Sequence, residues 1–288
     1  MLAHTDTSAL PAATVQNDIS IEQSRVPFTA ACFAGPGKEW SLAPLQKPED
    51  VKANPPLAYK LQRAAKSLDA DRLYAPTPVD SNGEIINPAQ LSRVFILGGG
   101  VVMFRNPAAP ADGTLLRDPG DAGIFSAGGC GVIVTTIDDR LIFAHAGRES
   151  LIDRARILDG RPRRHESVVD SIMEAYRGLG YKSHQLTRLK AWMFYSIRPE
   201  DFLHRYDDTT YGEYNRRVGT DLEARGLGEG ARRVSGGVEL DLPAVARARF
   251  VHQGVPAKNI HLEHAYLADE LPHTRRGGGR YLVAIVRS

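Results

Sequence analysis

The stretch SAGGCGVIVTTIDDRLIFAHAG, residues 126–147, constrains the fold of this 288-residue chain more than any other. GVIVTTI and RLIFAH are β-branched or apolar runs joined by Asp138 and Asp139, the pattern of two antiparallel strands around a tight turn. With the turn centred there, residue 132 opposes residue 145. Side chains alternate along a strand, so Cys130, residue 132 and His145 share one face. Cys130 then becomes the diagonal neighbour of His145, with about 7 Å or less between their Cβ atoms. A turn one residue earlier would pair them directly.

A thiol beside an imidazole has three readings. As a nucleophile, Cys130 would be held as thiolate by a neighbouring imidazolium, with His145 moving the proton. Glycines at 128, 129 and 131 strip side chains from around the sulfur, so Gly129 and Gly131 are candidates for backbone contacts to substrate and to a developing oxyanion. As metal ligands, Cys130 and His145 need a third partner, for which His204, His252, His261, His264, Glu263 and Asp269 are candidates. As core residues, they would be a buried cysteine beside a satisfied histidine.

Composition narrows the classes. The net charge of +2 gives no overall pull toward nucleic acid or an anionic membrane. No run approaches the roughly 18 apolar residues of a membrane span. Cys32 and Cys130 make no disulfide framework, which points to a reducing compartment. The first residues have neither the basic nor the apolar region of a signal peptide. The expected location is cytoplasmic, with a secreted effector lacking a classical signal as the alternative.

Residues 1–25 read as a disordered tail, and 26–288 as one catalytic domain. Residues 26–90 look irregular apart from a helix around Pro56–Ala70. RVFIL and VVMF, split by Gly98–Gly100, read as a strand pair, and 106–123 as a long loop. A helix is expected over 166–177, a strand over 188–197 and a helix from about Pro199. Residues 207–237 look polar and glycine-rich. A further helix starts at Asp241, and NIHLEHAYL and RYLVAIV close the chain as strands. Strands and helices mix without a regular βαβ rhythm, which predicts an α/β (α+β) sandwich of mixed β-sheets with flanking helices.

Several motifs resemble the laccase-domain family, also called the polyphenol oxidase or peptidoglycan editing factor family. AHAGRESL (144–151) resembles its HAGWRG signature, SAGGC (126–130) its TADC, and PADG (110–113) its ADG loop. Residues 240–286 resemble its ending, with an Arg-Arg-Gly-Gly motif before the last strand. The resemblance implies a zinc held by Cys130, His145 and a third histidine. That position falls at about Gly98, where this chain has none. It also implies action on a purine nucleoside or related small molecule, by hydrolysis, deamination or phosphorolysis. Arg148, Arg275, Arg276 and Arg280 would then hold anionic groups. Copper-oxidase chemistry is not expected, because nine scattered histidines do not supply the short-spaced sets it needs. The GGC…HAG spacing, fifteen residues from Cys130 to His145, also resembles the catalytic pair of cytotoxic necrotizing factor glutamine deamidases. That resemblance implies a thiol amidohydrolase acting on an amide, with a protein glutamine among the substrates it covers. A non-catalytic relative that binds a ligand or partner is the remaining class.

Overall fold

The computed structural model describes residues 15–22, 26–34, 39–78, 83–271 and 279–288; of residues 15–17 and 269–270 only the backbone is described. In chain order the strands are β1 (Val15–Ile21), β2 (Phe28–Phe33), β3 (Arg72–Tyr74), β4 (Ile85–Ile86), β5 (Arg93–Gly98) and β6 (Val101–Arg105). They continue with β7 (Gly113–Leu116), β8 (Asp121–Ala127), β9 (Gly131–Ile137), β10 (Arg140–Ala146) and β11 (Lys190–Phe194). The remainder are β12 (Leu203–Arg205), β13 (Ala231–Val234), β14 (Gly237–Leu240), β15 (Ile260–His261) and β16 (Tyr281–Arg287).

Among the described residues, seven strands form one mixed sheet in the order β1-β2-β16-β8-β3-β6-β5, and six form a second in the order β15-β11-β9-β10-β7-β4. A third, small sheet has the order β12-β14-β13. The two large sheets share one apolar core. Phe28 of β2 meets Trp192 of β11 with ring centroids 5.3 Å apart, and Phe125 of β8 meets Phe143 of β10 at 5.1 Å. Aromatic rings from facing strands bury large apolar areas in such a sandwich. The outer face of the first sheet is covered by the helix Pro55–Ser67, whose Leu57, Leu61, Ala64 and Ala65 pack with Leu73, Ile124 and Leu282. The second sheet is covered by the helix Val168–Gly178. Ser167 caps that helix, and its Tyr176 donates to the Thr135 carbonyl at 2.9 Å. No helix among the described residues is long and apolar enough to cross a membrane.

Several sequence expectations change. The expected tail is shorter than 1–25, because Val15–Ile21 pairs with β2 along most of its length. FTAACF, inside the region read as irregular, is a buried strand between β1 and β16. The long loop 106–123 contains β7, whose four residues are all buried, and the start of β8. At Pro199 there is only a single 3-10 turn, Pro199–Asp201. The helix of this region is Gly212–Ala224, and it buries Tyr214, Val218 and Leu222. β13 and β14 follow it within the same polar stretch. NIHLEHAYL contributes only the two residues of β15.

The candidate site lies where the chain crosses between the two large sheets. β8 belongs to the first, β9 to the second, and Gly128, Gly129 and Cys130 make the link. Gly129 has φ +126, a conformation open to glycine and closed to residues with a Cβ.

Candidate functional site

The hairpin register is the one the sequence implies: His145 pairs with Val132 and Ala146 with Gly131. Cys130, partly exposed, precedes β9, and its side chain is among the groups that raise the proton affinity of the His145 imidazole. The other side of that ring is held by a residue the sequence reading did not single out. Asp112, fully buried just before β7, lies 3.0 Å from His145 Nδ1 through its Oδ1. β7 pairs with β10, and the His145 N–H donates to the Asp112 carbonyl at 2.7 Å, so backbone and side chain fix the pair together. Ser150 Oγ donates to Asp112 Oδ1 at 2.8 Å and lies 3.1 Å from His145 Nδ1. The Gly83 N–H donates to Asp112 Oδ2 at 2.6 Å. A buried carboxylate needs such partners, and here every one of them is a hydrogen-bond donor.

Asp112 on Nδ1 leaves Nε2 available, and a thiol, an imidazole and a carboxylate in this order can act as nucleophile, base and orienting acid. Burial alone pushes the His145 imidazole down. Hydrogen bonds to Asp112 and Cys130, together with the charges on both, outweigh it and hold the imidazole up at about 10. Phe125 closes one side, its ring centroid 5.9 Å from that of His145. Gly147 leaves the ring its space: a Cβ there would fall 2.5 Å from His145 Cε1.

The other expected residues divide. The Gly129 N–H is spent on the Tyr281 hydroxyl, which in turn donates to the Tyr195 carbonyl at 2.9 Å. Gly131 sits in the ladder opposite Ala146. The N–H of Cys130 itself has no acceptor among the described residues. Arg148 does not stand open to a ligand. Its guanidinium donates to Glu149 at 2.6 Å, to His204 Nδ1 at 2.7 Å and to Asn215 at 3.2 Å, and it lies over Tyr211 and Tyr214. Arg280 Nη1 donates to the Ser126 carbonyl at 3.2 Å, near Phe125. Arg275 and Arg276 lie outside the described residues.

The donor set for zinc is incomplete among the described residues, where no group of three His, Cys, Asp or Glu side chains could hold a metal ion. Gly98 could not have supplied the third ligand. β3 runs parallel to both β6 and β8, so the turn at Gly98–Gly100 lies at the starting end of β8, while Cys130 follows its finishing end. His204 is taken by Arg148, His261 stacks on Trp192 and His264 on Phe194. His252 lines a separate cleft with Arg225 and Arg249. Glu263 lies 3.5 Å from His261, and the Asp269 side chain is outside the described residues.

No family model and no curated protein matches the sequence. Solved structures do. YlmD from Geobacillus stearothermophilus superposes with a TM-score of 0.63 at 18% identity, over 90% of this chain and 92% of that one. The Bacillus licheniformis hypothetical protein YfiH gives 0.58 at 18%, over 91% and 93%. The chain has the YlmD and YfiH fold. Neisseria meningitidis protein NMB0706 shares it, with a TM-score of 0.59 at 14% identity, over 95% of this chain and all of that one. The laccase-domain resemblance is thus matched in architecture. On this sandwich, Asp112 and Ser150 both lie at His145 Nδ1. Their sequence signals were faint: an Asp-Gly pair in a proline-rich stretch, and a serine five residues beyond the histidine.

Proposed function

We propose that the protein is a thiol amidohydrolase, with Cys130 as nucleophile, His145 as acid and base, and Asp112 as the residue that positions His145. The observation that supports this reading is the buried Asp112 carboxylate on His145 Nδ1, which leaves the other ring nitrogen available to the thiol. Cys130 Sγ attacks a carboxamide carbon, and the N–H of Cys130 receives the developing oxyanion. The carbon–nitrogen bond breaks as His145 protonates the leaving ammonia. Water, deprotonated by His145, then hydrolyses the thioester to a carboxylate and restores the thiol.

A second reading, purine-nucleoside chemistry, comes from the motif resemblance alone. At an adenine ring the same centre would displace ammonia from C6. Ammonia release is therefore the assay for both, with glutaminyl peptides, free carboxamides and adenosine as separate arms. Wild type is expected to turn over one arm, with Cys130→Ser inactive and Asp112→Asn reduced by about 10³-fold or more. No ammonia from any arm, together with iodoacetamide alkylation of Cys130 no faster than that of free cysteine, would overturn the proposal.

A further inference from the structure

A cleft of about 420 Å³ is lined among others by Thr77, Arg105, Ser126, Arg280 and Phe125, the last of which has its ring centroid 5.9 Å from that of His145. That size suits a small metabolite. Arg105, at the end of β6, is only 5% exposed, and its Nε donates to the Leu45 carbonyl at 3.1 Å. Among the described residues no carboxylate stands within ion-pair distance of Arg105 or of Arg280. Burial pushes the Arg105 guanidinium down to about 10. Thr77 Oγ1 and Ser126 Oγ are also buried, with no hydrogen-bond partner. Buried charges are ordinarily paired and buried hydroxyls bonded. Here two guanidinium groups, each with a single backbone carbonyl as acceptor, and two hydroxyls without a partner among the described residues line one space.

We infer that this cleft is an anion subsite, in which Arg105, Arg280, Thr77 and Ser126 bind a carboxylate or phosphate of the molecule whose reacting carbon faces Cys130. The position supports it. The Thr77 carbonyl accepts from the N–H of Ala111, the neighbour of Asp112, at 3.0 Å, and Phe125 lines the cleft and contacts the imidazole. The inference rests on the proposed function for the second half of that sentence, the reacting carbon, and stands alone for the first. A guanidinium fork fits both anions, so the two sources are separated by experiment.

The test is thermal unfolding with inorganic phosphate or acetate at constant ionic strength, chloride making up the balance. One anion should raise the melting temperature saturably, as ligands of the native state do. Arg280→Gln and Arg105→Gln should each move the midpoint at least tenfold higher in concentration. Arg280 is partly exposed, so its variant folds even where the buried Arg105→Gln does not, and it decides the matter alone. No saturable rise with either anion, or an Arg280→Gln midpoint equal to wild type, would overturn the subsite. Iodoacetamide alkylation of Cys130 in the wild-type protein reads the catalytic proposal separately. A protein that binds phosphate yet alkylates like free cysteine keeps the subsite and loses the nucleophile. Fast alkylation with no anion binding does the reverse.

Discussion

Arg148 and Arg105 are both buried, 8% and 5% exposed, and their surroundings are opposite. Arg148 has a carboxylate, an imidazole, an amide and two aromatic rings around one guanidinium. Arg105 has a backbone carbonyl and an open cleft. The first is architecture: its charge is neutralised by the fold. The second is a charge the fold has desolvated without neutralising, and a ligand can supply what is missing. Of the two, the sequence motif pointed to Arg148, because it follows the HAG signature. Motif position marks which residues lie near a site, and pairing shows which of them remain available.

The largest effect expected from this comparison is on stability. Arg148→Met leaves Glu149, His204 and Asn215 without their shared donor, and should cost about 3–5 kcal/mol in urea unfolding. A loss below about 1 kcal/mol would place Arg148 in the same class as Arg105.

Next comes pH. The native protein holds the His145 proton up to about 10, whereas an ordinary imidazole releases it near 6.5. The stabilisation is therefore fully present below about pH 6.5 and is lost as pH rises through about 10. Wild-type stability should fall across that window, and Asp112→Asn should flatten the fall. A wild-type profile already flat there would mean that His145 is not charged in the native state.

Gly147→Ala should follow at about 1–3 kcal/mol, the usual cost of overpacking, since the new methyl collides with the imidazole. Cys130 alkylation should slow in the same variant. Unchanged alkylation would show that the ring can move without uncoupling from the thiol. Arg105→Met, in the absence of anions, should lie within about 1 kcal/mol of wild type, on either side. Smallest of all is Arg164→Ala. Arg164 meets Glu174 with both side chains at least half exposed, and such pairs contribute about 0–1 kcal/mol.

The hairpin carrying Cys130 and His145 was legible because alternation, β-branching and the Asp138–Asp139 turn all indicate one register. Asp112 was not legible as a partner. Its place depends on β7, four residues set between turn-forming segments, finding β10 from nearly thirty positions away. The helix Gly212–Ala224 has its apolar stripe at Tyr214, Val218 and Leu222, but two glycines and many charged neighbours dilute it. The misplacement of a zinc ligand at Gly98 came from motif order alone. Order along a chain does not tell which end of a sheet a turn occupies, and strand direction does.

The last strand has a bearing on how the protein is made. β16 is synthesised after every other described strand, yet it lies in the interior of the first sheet, bonded to β2 on one side and β8 on the other. During translation, β2 and β8 therefore wait as unpaired edges until residues 281–287 leave the ribosome. Such non-local closure is slow, and the waiting edges invite association with other chains. The link that carries Cys130 is fixed late as well, because Tyr281 holds Gly129 and Arg280 bonds the Ser126 carbonyl. Completion of the sheet and fixing of the Gly129 link both wait for the same strand.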